Sequence, residues 1–401
     1  MRNSKKALSF SLNLCFLVMA YYLVKPLSRT LFLTYIGSPY LPYVWIGTTA
    51  VLLCLIPFFH WRLNNFPPLQ IMNTSCISFL LLLIFAYFAL SAPSPKTVSA
   101  FYILVDVYSV VLIENFWSVT NASFRSKGDE RWLGIIAGGG LVGGLAGGML
   151  ASLLLRFSFI NAVDLILIAA IILLAIIGMN SAFSRNGYLP HVAPPGKPES
   201  MEEASIRPRR NRALWLIAAV LFISQLIEPL VEYQFLSRIE AELSDLESRT
   251  TFLSWFFAIL NGVALLINIT IVPWMVKKAS IASGLALQPF SIFAASAAYF
   301  ISPSLWGVSS IKIVDGALSF SVSRAFKEML YLQFEFNLIA KAKLWIDLLA
   351  ARCFKIVGSL AVLFLTRDFG LRLAAIELSW FIFAGTVIWI LILVKYGRSV
   401  D

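Results

Sequence analysis

Five basic residues, Lys25, Arg29, Lys312, Arg352 and Lys355, stand inside stretches that are otherwise apolar for about 20 residues, long enough to cross a bilayer. At membrane depth an ionisable side chain costs about 2.5 to 3.5 kcal/mol on insertion scales, so it faces a cavity or a partner. Lys25 and Arg29 are four apart and share a helical face, which places two cations about one turn from each other. Such a pair suits a phosphate or carboxylate. The competing reading neutralises both on acids from other segments, with Arg29 snorkelling outward.

A second charged group, Lys343, Asp347, Arg352 and Lys355, runs along the start of one apolar segment near the end of the chain. Asp347 and Lys343 are spaced to pair locally, whereas Arg352 and Lys355 require a cavity or a partner helix. Among the acids, Asp106, Glu114, Glu228 and Glu232 sit at similar depth, and could gate, couple protons or balance the cations. Lys312 and Asp315, three apart, read as a structural pair outside the site.

The elements that must position these residues are set by composition. The 401 residues are 59% hydrophobic and 13% charged, and the mean hydropathy is +0.82, outside the range of soluble domains. Twelve spans are predicted, the first six being Ala7 to Tyr35, Tyr43 to His60, Leu69 to Leu90, Ala100 to Thr120, Leu133 to Leu155 and Val163 to Asn180. The other six are Ala213 to Gln234, Phe252 to Met275, Ala282 to Ile301, Leu305 to Ser321, Leu344 to Thr366 and Leu371 to Tyr396. The first stretch is too long for a signal-peptide core and is read as a retained helix.

Ser181 to Arg212 is the longest polar stretch, rich in proline and ending in RPRRNR. The predicted organisation is therefore a six-helix bundle over 1–180, a linker over 181–212 and a second six-helix bundle over 213–401. With the N-terminus inside, 21 of the 32 Lys and Arg fall on the cytoplasmic side and 6 outside, the other 5 being the residues within spans. Both termini and the linker are expected in the cytoplasm, with the chain in a bacterial inner membrane. This orientation accounts for the +11 net charge without a nucleic-acid partner. Two six-helix halves joined by a cytoplasmic linker are the sequence pattern of the major facilitator architecture, an all-α membrane fold that binds substrate near the midplane.

Span five reads GIIAGGGLVGGLAGGMLA, with glycines at spacing four on two adjacent rows, which points to close helix contact. A phosphate loop is disfavoured, since no strand precedes it and no GK[ST] follows. Tyr21, Tyr22, Phe101, Tyr102, Trp117 and Trp132 could stack on a base or sugar, or serve as core and interface aromatics. Four cysteines without a CxxC and two histidines imply no disulfide framework and no metal site.

Four segments carry a resemblance. YYLVKPLSRTLFL (Tyr21 to Leu33) resembles the first helix of the bacterial and plastid ATP/ADP translocases, the nucleotide transporter family. FYILVDVYSVVLIENFWSVTNASF (Phe101 to Phe124) resembles that family's fourth helix, with Asp106 at its acidic position and Arg131 in the loop that follows. LIEPLVEYQF (Leu226 to Phe235) is similar to its seventh helix and places Glu232 at the acidic position there. SRAFKEMLYLQFEFNLIAKAKLWIDLLAARCFKIVGS (Ser323 to Ser359) resembles its KEM and AKAxID pattern. Gln234 departs from it, standing where a lysine often follows the acid. The resemblance implies exchange or symport of nucleotides, with Lys25, Asp106, Glu232 and Lys343 at the charged transport positions.

The expected function is alternating-access transport of an organic anion, with ATP or ADP as the nucleotide partner and no cofactor. The expected substrate contacts are Lys25, Arg29, Asp106, Glu232, Lys343, Asp347, Arg352 and Lys355. A permease for a non-nucleotide solute, a membrane transferase acting on a lipid phosphate and a non-transporting receptor are the alternatives. The transferase lacks any DDxxD, HxxxD or Ser/His/Asp constellation.

Overall fold

In a computed structural model of the chain, residues 2–124, 130–157, 160–185, 212–331, 346, 349–367 and 370–397 are described. The first six long helices are α1 (Arg2–Tyr35), α2 (Leu41–Asn65), α3 (Pro68–Ala89), α4 (Pro95–Ser123), α5 (Glu130–Arg156) and α6 (Leu165–Arg185). After these come α7 (Arg212–Glu242), α8 (Leu246–Lys278), α9 (Ile281–Ile301) and α10 (Leu305–Leu318). A π-helical turn, Ser319–Ser323, leads from α10 into α11 (Arg324–Tyr331), and α12 (Ala351–Thr366) and α13 (Ser379–Gly397) complete the chain. Ten helices among the described residues are long and apolar enough to cross a membrane. The chain is an all-α, multi-pass membrane protein, with no strand among the described residues.

Local sequence explains where several helices start. Ser94 accepts from the Thr97 amide while the Thr97 hydroxyl receives the Ser94 amide, and Pro95 supplies the first helical residue of α4. Ser280 and Ser304 cap α9 and α10 in the same way, each accepting from the amide three residues on.

The ends of several predicted spans move, α7 running on to Glu242 and α8 starting at Leu246, and two of the shifts have a local cause. Span ten continues beyond Ser321 through the π turn to Tyr331, because Phe326, Leu330 and Tyr331 keep one face buried while Arg324, Lys327 and Glu328 lower the mean hydropathy. Span twelve begins later than Leu371. The Leu371 and Leu373 amides fold back onto the Phe364 and Leu365 carbonyls, Arg372 takes a left-handed φ of 54°, and the Glu377 carboxylate caps the Ala374 amide. Helix therefore starts only with a 3-10 turn at Ala375–Leu378.

The chain divides into two compact units. Unit 1 comprises Met1–Ile36, Cys54–Glu202 and Ser244–Gly262, and unit 2 comprises Gly37–Leu53, Glu203–Leu243 and Val263–Asp401. The helices α2 and α8 thus each contribute one part to each unit. Within unit 1, α1 packs on α4, α5 and α6, and α3 packs on α4 and α6. Within unit 2, α7 packs on α10, α12 and α13, and α9 packs on α10 and α13. The same pattern of neighbours occurs twice, with α7 taking the place of α1, α10 that of α4 and α12 that of α5.

Glycine sets the spacing at the centre of unit 1. A methyl group on Gly139 or Gly143 would collide with the backbone carbonyl of Ser11 or Cys15 in α1, and one on Gly147 would lie 2.6 Å from the Met19 carbonyl oxygen. The neighbouring row, Gly144 and Gly148, meets Asn261 and the Ser254 carbonyl of α8. This is the close approach that small residues at spacing four allow. A polar ladder joins α1 to two more helices, α6 and α3: Asn13 donates to Asn180 at 3.0 Å, and Asn180 donates to Asn73 at 2.8 Å.

Gly143→Ala is expected to lower the thermal stability of the detergent-purified protein, by about 1 to 3 kcal/mol, the usual cost of overpacking. Gly138→Ala, where an added methyl meets nothing within 4 Å, is the control and should leave the melting temperature near that of the parent. Equal melting of both variants and the parent would remove the α1–α5 contact as the reason for the glycine row.

Candidate charged sites within the two units

In unit 1 the charged centre is built on one face of α1. The Lys25 ammonium lies 5.2, 5.3 and 4.3 Å from the ring centres of Tyr21, Tyr22 and Phe257. Tyr22 and Phe257 are themselves 5.5 Å apart and buried, so the rings desolvate and orient the ammonium. One turn on, the Arg29 guanidinium donates to Asp106 of α4 at 2.5 Å and to the Ser28 hydroxyl at 3.0 Å, and covers the Tyr102 ring at 4.2 Å. The Arg29 and Asp106 side chains are 6% and 18% exposed, so this is a buried pair rather than a snorkelling arginine.

In unit 2 the polarity is reversed. Glu232 of α7 pairs with the Lys312 ammonium of α10 at 2.9 Å, and Asp315 lies farther from the same ammonium, at 3.6 Å. The expected Lys312 to Asp315 pair is present, and a closer acid from another helix joins it. Gln288 of α9 donates to the Asp315 carboxylate at 3.0 Å and accepts from the Ser323 hydroxyl at 2.6 Å, which ties the π turn to this cluster. One turn before Glu232, Glu228 pairs with Lys355 of α12 at 3.8 Å and accepts from Gln225 at 3.1 Å. Arg352, half-buried, lies one turn before Lys355 on α12.

The units repeat these positions with opposite charge. LVKPLSR (Leu23–Arg29) aligns with LIEPLVE (Leu226–Glu232): both leucines and the proline coincide, and Lys25 and Arg29 become Glu228 and Glu232. The partner on the fourth helix inverts as well, from Asp106 on α4 to Lys312 on α10. Pro26 and Pro229 each lack the amide that a continuous helix would donate to the carbonyl four residues earlier, so both helices are weakened beside their charged residues.

Of the residues expected to contact substrate, Lys25, Arg29 and Asp106 come together in unit 1, and Glu232 and Lys355 join one cluster in unit 2 through Glu228 and Lys312. Lys343 and Asp347 lie outside the described residues. Sequence reasoning paired Lys312 with Asp315 alone; the signal that would have added Glu232 is the aligned KP and EP segments, which predict a counter-charge on each fourth helix. Gln234 serves another purpose, donating to the Ala375 carbonyl at 2.7 Å and the Ser379 hydroxyl at 3.0 Å, where α13 begins.

Five of the six aromatic residues offered as a base-stacking platform are engaged in packing. Tyr21 stacks on Tyr108 with centroids 6.2 Å apart and planes 11° from parallel, and Tyr22, Phe101 and Tyr102 are each at most 5% exposed. Trp117 lies edge-on to Phe116, the centroids 5.7 Å apart.

No protein-family model matches the sequence, and no curated protein matches it. Solved structures do share its fold. The chain has the major-facilitator-like fold, with 16% identity and a TM-score of 0.62 to a bacterial homologue of the human lysosomal transporter Spinster in an inward-facing, occupied conformation. That match covers 99% of this chain and 96% of the other. The nucleoside transporter NupG gives a TM-score of 0.65 at 11% identity, over 98% of this chain and 99% of that one.

Asp106→Ala leaves a buried guanidinium without its carboxylate and is expected to destabilise the protein by about 3 to 5 kcal/mol. The double variant Arg29→Met with Asp106→Leu, which removes both charges, should recover most of that loss in thermal unfolding. A double variant no more stable than Asp106→Ala would mean that the pair does not act as a unit.

Proposed function

We propose that this protein is a membrane transporter that moves an organic anion, with a nucleotide as cargo, by alternating access in ATP/ADP-type exchange or proton-coupled uptake. The observation that carries the reading is the concentration of basic side chains at membrane depth on helices that would otherwise be apolar: Lys25 and Arg29 on α1, and Arg352 and Lys355 on α12. Charges that cost this much to insert are kept where they face a cavity, a solute or a partner, and in this reading Lys25, Arg352 and Lys355 serve a solute.

In this reading Lys25 binds the anion directly, held by its three rings, while Arg29 and Asp106 fix the helix that presents it. Arg352 and Lys355 supply further positive charge, Glu232 balances Lys312, and Lys343 and Asp347, at the start of the same predicted span as Arg352 and Lys355, are the remaining proposed contacts. The first-helix and KEM/AKAxID resemblances support a nucleotide, as does likeness in fold to a protein named as a nucleoside transporter. The proposed setting is a bacterial inner membrane with both termini and the connection between the six-helix halves in the cytoplasm, as the distribution of Lys and Arg favours.

A second reading, an anion without a base, is favoured by one observation: the rings nearest Lys25 are buried against one another and leave no open face for stacking. A thermal-shift screen with nucleotides, nucleosides, sugar phosphates and carboxylates separates the two, followed by uptake into liposomes loaded with the stabilising compound.

Lys25→Ala is expected to reduce uptake of radiolabelled ADP by at least about tenfold, the scale of one lost charge-assisted hydrogen bond of about 1.5 to 3 kcal/mol. Membrane insertion should be unaffected. Uptake kinetics that match the parent would exclude Lys25 from the site, and failure of every anion in the screen to stabilise the protein would overturn the anion reading.

A further inference from the structure

Three ion pairs between helices among the described residues are not equivalent. Arg29–Asp106 and Lys312–Glu232 are direct, at 2.5 and 2.9 Å, with no side chain more than 18% exposed. Lys355–Glu228 spans 3.8 Å, beyond hydrogen-bonding distance, with side chains 32% and 36% exposed. Glu228 nevertheless sits in the middle of α7, at a depth where lipid would forbid exposed charge, so its exposed surface is that of a residue facing a polar cavity. A loose, partly exposed pair is one that an incoming anion can open.

We propose that Glu228 is the proton-carrying residue of the transport cycle: the anion takes Lys355 from Glu228, and the released carboxylate binds a proton. This rests on the anion-transport reading above. One O–H bond forms at Glu228, its proton drawn from water on the side where the anion enters. That bond breaks on the other side, when the anion leaves and Lys355 returns.

The surroundings favour protonation once Lys355 is withdrawn. Among the described residues, the charges that act on Glu228 are Lys355 from α12, Lys312 from α10 and Glu232 one turn along α7, with Gln225 donating a hydrogen bond. Lys312 is already shared between Glu232 and Asp315, and Arg352 stands beside Lys355 on α12. Of the other elements packed on α7, the turn at Ala375–Leu378 brings Glu377, held on the Ala374 amide, and α13 brings Lys395 in its last turn. α11 brings Arg324, Lys327 and Glu328, and the turn Ser38–Tyr40 brings Tyr40. With Lys355 engaged elsewhere, Glu228 and Glu232 are two carboxylates one turn apart with one lysine nearby, an arrangement relieved by a single proton.

Because the anion-bound state holds one more proton, binding strengthens as pH falls. The apparent Kd should rise by up to about tenfold for each pH unit in the range where Glu228 titrates. ADP binding to the purified protein is measured across neutral pH, and influx into liposomes containing a pH-sensitive dye is followed in parallel. The parent should acidify the lumen as ADP enters, and its slope of log Kd against pH should exceed that of Glu228→Gln by about one, the ligand's own titration being common to both. Glu228→Asp should restore the slope, and Glu232→Gln, which alters a direct pair, should keep it. ADP entry without acidification in the parent, or an unchanged slope in Glu228→Gln, overturns the proposal while leaving anion transport standing. If neither ADP nor any other anion in the screen binds the parent, the anion reading fails, and this inference fails with it.

Discussion

The constraint on which the structure depends is that a charge inside a bilayer must be met by an opposite charge from its own surroundings. In unit 1 this ties α1 to α4 through Arg29 and Asp106; in unit 2 it ties α7 to α10 through Glu232 and Lys312. Buried pairs of this kind add little net stability over apolar packing, yet losing one partner is costly. Their effect is to fix which helices are neighbours and at what register, because a sliding step of one residue on either helix would strand a charge. The first helix of each unit, which packs on three others, is therefore held at its charged middle.

Backbone packing makes those distances attainable. α1 is held on one side by the glycine rows of α5, close enough that no side chain could intervene, and on the other by Asp106 of α4. In unit 2, Gly358 of α12 approaches the Gln225 carbonyl of α7 just as closely. That carbonyl is the one deprived of its helical donor by Pro229, so the helix–helix contact falls at the point where α7 is least able to hold itself straight. Lys355 is three residues before Gly358, and the contact that positions α12 also delivers the ammonium to Glu228.

The helical membrane architecture was legible because the need for long apolar segments is written into composition and needs no tertiary information. The ends of spans ten and twelve were not. Hydropathy averages over a window, so it stopped at Ser321, short of the amphipathic helix that begins at Arg324, and it counted Leu371 and Leu373 as helix although a tight turn occupies them. Charge pairing was legible only in part. Spacing rules see partners three or four residues apart, which found Lys312 with Asp315, but Glu232 and Lys312 are brought together by folding. Arg29 illustrates the same limit: its position on α1 implied a cation available to substrate, whereas the side chain is enclosed by Asp106, Ser28 and Tyr102.

The internal repeat bears on why likeness in fold leaves cargo open. The two units use the same neighbours and the same leucine–proline–leucine frame, so their backbones are nearly interchangeable in plan. Their chemistry is opposite, with lysine and arginine on α1 and two glutamates at the matching positions of α7. The inversion from Arg29 to Glu232 is matched by one on the fourth helix that each packs against, from Asp106 to Lys312, so each of these buried charges keeps a counter-charge. One fold accommodates both polarities within a single chain, so likeness in fold at 11% or 16% identity does not fix the charges presented at depth. On the transport reading proposed above, the charges at depth, rather than the arrangement of helices, are where selectivity is decided.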